Sequence, residues 1–449
     1  MSKKLFPLIS MLLIAVFVLA ACAPAATVAP TTAPQPTTPP AATQPAGATQ
    51  PPAATKAPAA TQPPAATAAP TAVKIKIWHQ WSGDYLTAIT AAFKDYMTAH
   101  PGVTIDLTKP NDTMNALKVA IPAKQGPDII GWANDQIGGL AVPGYILPLD
   151  SYGIDAAFLK STYEPAAVNG VTYKGKISAL PESQEAIALV YNKDLVTDKY
   201  LPKDNTDFAG LLAAAQQFQK DNPGKTLICN QGFPGGDAYH IAPVFFGFGI
   251  PQYVDETGKV TLNTPEGVAA MAWLQEIAKV SLKEETQDIC AAGMKSGKVG
   301  MMWTGPWEIA TIEGYKINYG IFAMGKPFVG IKTLMLAKNA VDNKTTAVAI
   351  DIMKYFTSAD VQKKIAAVNK TIPAASAALK DPAISALVSV VGFGSAANVG
   401  VPMSPSPFSG AQWGPVGDAV KVIWTGKQAP DAALKDAQAA IEKAVAAMQ

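Results

Sequence analysis

The sequence predicts an α/β protein whose folded body opens near Val73 and follows a segment unable to fold. Three observations carry that expectation. Short runs of strand character are followed by amphipathic stretches of helical period and then by another short strand, a β-loop-α-β pattern that implies a mainly parallel sheet. Residues 23–72 are almost wholly Ala, Pro, Thr and Gln, so they lack the apolar surface that would offset ordering. What remains of the 449 residues is long enough for two or more domains, or for one two-lobed body.

Residues 1–22 place Lys3 and Lys4 before the apolar run Leu5 to Ala20 and end Leu19-Ala20-Ala21-Cys22. That layout is a secretory signal peptide. Residues 23–72 then form a tether biased toward extended polyproline conformations. At ~3.1 Å per residue it reaches more than about 100 Å.

The body begins with the alternating strand Val73-Lys-Ile-Lys-Ile-Trp78, a polar loop from His79 to Asp84, and an amphipathic helix from Tyr85 to His100 stopped by Pro101-Gly102. Ligands of such sheets bind beyond the carboxyl ends of strands, where His79 to Asp84 fall. Val103-Thr-Ile-Asp-Leu107 is the next strand, and a further short buried strand delivers Trp132 and Asp135 to its following loop. From Gly175 to Leu195 the pattern is strand, polar interruption at Pro181 to Glu185, and strand again, as an interlobe crossing requires. Helices are expected at 208–221, 265–280, 345–356, 416–424 and 431–448, and strands at 225–229, 299–303, 317–324 and 332–337.

The stretch Gly297 to Ile312, GKVGMMWTGPWEIATI, reads as a buried strand that breaks on Thr304-Gly305-Pro306 and presents Trp307. Pro306 suits the first turn of a helix, and Gly305 permits a backbone angle or close approach that a side chain would forbid. Trp81, Trp132 and Trp413 also sit beside Gly, Asp, Asn or Pro rather than inside apolar repeats. The expectation is that these indoles meet in one cleft, where the C–H face of a sugar ring stacks on an indole and its hydroxyls meet Asp, Glu, Asn and Lys. Trp273 and Trp424, inside helical patterns, are read as core.

Composition narrows the function classes. All 36 basic residues are lysine and the net charge is +2. Without a guanidinium fork, bidentate capture of phosphate or guanine is absent, so nucleic acid is not an expected partner. No cysteine or histidine spacing suggests a metal, and no cofactor is expected. Cys229 and Cys290 either pair in an exported body or stand as two buried thiols; spacing does not choose.

Five segments in order, VKIKIW at 73–78, GPDIIGWANDQIGG at 126–139, EAIALVYNKDL at 185–195, KPFVGI at 326–331 beside the GPW turn at 305–307, and DAALKDAQ at 431–438, resemble the extracellular solute-binding components of bacterial ABC importers, and among them the maltose/maltodextrin-binding proteins. The ending at Cys22 likewise resembles the lipobox of bacterial lipoproteins. That resemblance implies a lipid-anchored mature N-terminus at Cys22 on the outer face of the cytoplasmic membrane.

For the body, the resemblance implies a two-lobed periplasmic-binding-protein fold with an interlobe hinge near Ser183-Gln184, Met324 and Ile372. One lobe is expected at 73–182 with 325–371 and the other at 183–324 with 372–449. It implies a monomer that closes on a maltose- or maltodextrin-like oligosaccharide and delivers it to ABC permease subunits. Its aromatic platforms match Trp132, Tyr239, Trp307 and Trp413, and its polar contacts match Asp84, Asp135 and Glu185, with Asp237 in place of a glutamate. Trp81 is an added candidate. The sequence departs from the family where Tyr85 follows Asp84 in place of a lysine, and where Gln136 and Gly417 stand in place of arginines; Gln136 is retained as a neutral hydrogen-bonding candidate. The competing readings are a secreted glycoside hydrolase using Glu182/Glu185 or Asp84/Asp135, and a sugar-sensing surface adhesin.

Overall fold

The structure, a computed structural model, describes residues 72–449. The expected signal peptide, Cys22 and the tether up to residue 71 lie outside the described residues.

Two sheets organise the body, one in each lobe. The first contains β1 (Val73–His79), β2 (Val103–Thr108), β3 (Ile129–Ala133), β6 (Leu180–Glu185), β11 (Phe328–Leu336) and β12 (Ile372–Pro373) in the order β12-β6-β11-β3-β1-β2, with β13 (Val401–Pro402) paired to one end of β11. The second has the order β10-β7-β9-β8, from β7 (Ala188–Asn192), β8 (Thr226–Cys229), β9 (Val299–Thr304) and β10 (Tyr319–Phe322). A two-stranded ribbon joins β4 (Thr172–Tyr173) to β5 (Lys176–Ile177).

Each lobe buries its own apolar core. In the first, the helix Gly83–Ala99 turns Tyr85, Ile89, Ala92, Phe93 and Tyr96 inward at helical spacing. Phe93 stacks on Phe356 with centroids 4.6 Å apart, and each such buried ring contributes about 1.5–3 kcal/mol. In the second, the helices Phe208–Asp221, Ala238–Phe248 and Pro265–Ala278 cover the smaller sheet. Trp273 is buried there as expected and donates to the Phe208 carbonyl at 2.8 Å, while Trp424 is only partly buried against the same core. Cys229, at the end of β8, and Cys290, in the helix Gln287–Lys295, form a disulfide, which resolves the choice the sequence left open.

Two expectations require correction. The sheets are mixed rather than mainly parallel: β1 runs parallel to β2 and β3, but β11 is antiparallel to both β3 and β6, and β7 is antiparallel to both β9 and β10. In the first sheet β11 and β12 run against β1, β2, β3 and β6, and in the second β7 runs against β8, β9 and β10. The polar segment Pro181 to Glu185 is also no interruption; it is strand β6 itself, and the break between strands falls at Ala186-Ile187. Its polar residues misled the periodicity reading because both faces are covered, so Glu182, Ser183, Gln184 and Glu185 are all buried.

A bulge shapes this strand. Lys332 pairs with Ser183 and Thr333 with Pro181, which leaves Glu182 as the extra residue. Bulges tolerate proline and re-aim side chains. Residues three apart on an unbroken strand face opposite sides; here Glu182 and Glu185 both reach the cluster of Tyr85 and Lys332.

Candidate functional site

A cavity of about 560 Å³ opens between the two sheets, within the ~300–1,000 Å³ of small-molecule sites. The first sheet and its loops contribute Gln80, Trp81, Tyr85, Trp132, Asp135, Glu185 and Lys332, and the other side contributes Gln231, Asp237, Tyr239, His240, Gln287, Trp307, Glu308 and Trp413. Trp132 and Trp307, named from sequence as platforms on opposite halves, therefore wall one cavity.

The GPW turn places Trp307 in a defined way. β9 ends at Thr304, Pro306 begins a single 3₁₀ turn, and the helix Ile309–Gly314 follows. Gly305 has φ −106° and ψ −176°, ordinary extended backbone, so close approach rather than a special angle explains the glycine: a Cβ there would collide with the Trp307 ring. Trp307 lies 6.3 Å from Tyr239 and 5.9 Å from His240, centroid to centroid. Phe328 stacks on Tyr239 at 6.2 Å and meets the Trp413 ring edge-on at 5.6 Å. Aromatic faces thus line one side of the cavity, with C–H-binding character that no single indole would provide.

Trp132 leaves β3 half-buried, and its carbonyl accepts from Thr333. Asp135 follows in a 3₁₀ turn, where Trp413 Nε1 donates to it at 3.1 Å and Gln136 Nε2 also donates. Burial raises the Asp135 carboxyl to about 6, and the bonds from Gln136 and Trp413 oppose that rise. Gln136 itself does not line the cavity; its amide is spent on Asp135. Asp84 lies in the first turn of its helix, and its side chain is outside the described parts of the structure.

Trp81 touches the cavity but is only 2% exposed. Its ring packs against His79, Phe93 and Phe356, and Nε1 donates to Glu182 at 3.2 Å. Gly131 allows this, since a Cβ there would come within 2.8 Å of the indole. Trp81 is thus mainly a wall beneath the site. Tyr85 OH donates to the same carboxylate at 2.9 Å. Burial raises Glu182 to about 7, while Lys332 and the two donors pull the other way.

Asp237 is engaged locally. Oδ1 caps the helix Ala238–Phe248 by accepting from the Tyr239 and His240 amides, and Oδ2 accepts from Gln231 and pairs with His240 Nδ1 at 2.7 Å. Burial works against its charged form, but the imidazole and amide outweigh it and hold the carboxyl well below the usual range.

Eight of the ten residues nominated from sequence line the cavity and Gln136 does not, while the Asp84 side chain lies outside the described parts of the structure. Lys332, Gln231, His240, Gln287 and Glu308 line it without having been nominated. Only His240 carried a prior signal, its place after Asp237 and Tyr239 on one expected helix, which the structure has at Ala238–Phe248. Among the described residues, no group of three or more His, Cys, Asp or Glu is placed to hold a metal ion, and no helix is long and apolar enough to cross a membrane.

A model of the bacterial extracellular solute-binding protein family matches residues 91–390. A maltotriose-binding protein of Pyrococcus abyssi is 32% identical over 367 residues, covering 78% of this chain and 77% of that one. A galactooligosaccharide-binding protein of Bacillus subtilis is 24% identical over 346 residues, covering 72% and 77%. Among solved structures, the maltose/maltodextrin-binding domain of Bdellovibrio bacteriovorus bound to maltotriose superposes with a TM-score of 0.74 at 22% identity, over 83% of this chain and all of that one. The maltotriose-binding protein of Thermus thermophilus bound with maltotriose gives 0.71 at 21% identity, over 83% and 100%.

Proposed function

The chain belongs to the bacterial extracellular solute-binding protein family, and from that membership we propose that it captures a neutral oligosaccharide of the maltose/maltodextrin class between its lobes and delivers it, unchanged, to the permease of an ABC importer. One observation carries the reading: aromatic rings and carboxylates from both sheets face a single cavity, with Trp132 on one side and Trp307, Tyr239 and Trp413 on the other. Stacking faces beside hydrogen-bonding groups suit a ring with apolar C–H surfaces and a hydroxyl rim. The names of the relatives support the class of sugar.

The ligand contacts in this reading are Trp81, Asp84, Trp132, Asp135, Gln136, Glu185, Asp237, Tyr239, Trp307 and Trp413. Gln136 acts through Asp135 and Asp237 through His240. The lobes are 73–182 with 325–371, and 183–324 with 372–449; the membership of β1 to β3 and β11 in one sheet and β7 to β10 in the other supports that division. The protein works as a monomer, exported and anchored through lipid on Cys22, with residues 23–72 as a tether. Binding without turnover fits Glu182, whose carboxylate is occupied by Trp81 and Tyr85, and Glu185, which pairs with Lys332.

Isothermal titration of the protein with maltose, maltotriose and longer maltodextrins tests the reading, with product analysis of the same mixtures. Binding without hydrolysis is expected. Trp307→Ala is expected to weaken it by roughly 10- to 100-fold, the scale of a lost stacking platform at about 1–3 kcal/mol. Hydrolysis, or unchanged affinity in the variant, overturns it.

A further inference from the structure

Lys332 is the one lysine among the described residues that line the cavity, whose lining also carries Asp135 and Glu185 on the same side and Asp237 and Glu308 on the other. Its side chain is 13% exposed and its Nζ lies 2.7 Å from Glu185 Oε1, a carboxylate 7% exposed. The same Nζ sits 3.9 Å from the Tyr85 ring centroid and 5.6 Å from that of Trp307. Lys332 on β11 lies opposite Ser183 of β6, so cation and carboxylate stand on adjacent crossing strands. The aromatic rings on either side come from different lobes.

A structural role alone does not explain this pair. Desolvating an ammonium and a carboxylate costs several kcal/mol each, and well-packed apolar residues in place of a buried pair are often as stable or more so. Its location supplies the reason. An ammonium has three N–H donors and at most one can meet Glu185 Oε1, which leaves donor capacity for a group in the cavity. Adjacent hydroxyl oxygens of a pyranose are spaced much like the Nζ and Oε1 atoms. Such a diol can meet both charges without separating them.

We infer that Lys332 and Glu185 form a donor–acceptor pair for two neighbouring hydroxyls of one sugar ring, Lys332 donating to one and Glu185 accepting from the other, and that Lys332 is thereby a specificity-determining residue of the site. The inference rests on the oligosaccharide reading above. Tyr85 and Trp307 hold the ammonium in place, and the bulge at Glu182 brings Tyr85 OH and β6 together beneath it. The charge-assisted bonds formed are of the stronger kind.

The wild-type protein, titrated by calorimetry with maltotriose and with its monodeoxy derivatives, provides the first test. Removal of either hydroxyl of one adjacent pair is expected to weaken binding by roughly 10- to 100-fold, the scale of a hydrogen bond to a charged group, with smaller losses elsewhere. The second test uses Lys332→Met together with Glu185→Gln, so that no carboxylate is left buried alone, with the fold checked by thermal melting. This variant is expected to bind maltotriose 10- to 100-fold more weakly and to lose the penalty for the same two deoxy positions. A panel that singles out no adjacent pair overturns the inference, as does a variant that keeps wild-type affinity or weakens every sugar uniformly with the deoxy penalties intact. If wild type binds maltodextrins while one of these results is obtained, only this inference falls; if wild type binds no neutral oligosaccharide, the functional reading falls with it.

Discussion

Replacing Glu182 with glutamine should make the protein more stable at alkaline pH and leave it unchanged in acid. Glu182 is 3% exposed and its carboxyl is raised from 4.5 to about 7, chiefly by burial, so the folded state holds a proton that the unfolded chain has released between those values. Stability then falls as pH rises through that window, by about 1.4 kcal/mol per pH unit, and reaches a deficit of about 3 kcal/mol above pH 7. Below pH 4.5 both states are protonated and the deficit vanishes. A glutamine carries no charge; its amide oxygen can accept from Trp81 Nε1, which now meets Oε2, and its NH2 can donate to the Tyr85 hydroxyl oxygen, whose own proton now meets Oε1. Urea unfolding of wild type and Glu182→Gln from pH 4.5 to 8.5 reads the difference directly. The gap should open in favour of the variant across the window and level off beyond it. A gap independent of pH, or one that widens toward acid, refutes the reasoning.

Two further outcomes are expected. Cys229→Ala with Cys290→Ala removes a crosslink across a sequence separation of 61, and loop-closure entropy alone sets the loss at about 4 kcal/mol, measurable by denaturant unfolding under non-reducing conditions. Cys22→Ser should move the full-length exported protein from the membrane fraction to the soluble one after signal cleavage; retention in the membrane fraction counts against the anchor.

Much of the fold was legible because strand and helix differ in period. β1, the helix after it and β2 fall where Val73-Lys-Ile-Lys-Ile-Trp78 and its amphipathic successor place them, with ends shifted by one or two residues. β6 was not legible, since a strand covered on both faces by polar partners has no alternation, and its bulge breaks what period remains. Trp132, Tyr239, Trp307 and Trp413 were found through turn chemistry and resemblance. Lys332 could not be found that way. It sits in FVGIKTLML, where a lone lysine reads as the solvent-facing residue of a strand, and only the pairing of β11 with β6 turns it onto Glu185.

In the proposed mechanism the ligand is what holds the two sides together. Among the described residues, direct polar links beside the cavity include Trp413 Nε1 to Asp135, Asn134 Nδ2 to the Met403 carbonyl at 2.8 Å, and Met403 N to the Val329 carbonyl at 2.9 Å where β13 pairs with β11. A hydrogen bond contributes a net of about 0.5–1.5 kcal/mol, or about 1.5–3 to a charged group, so no one of these links fixes the arrangement alone. A sugar that stacks on Trp132 and Trp307 together gains its full contact only when both face it, and this difference between states is the sole means by which a ligand shifts the balance. In this proposal a permease that separates the lobes has to overcome the contacts of the sugar as well as these links.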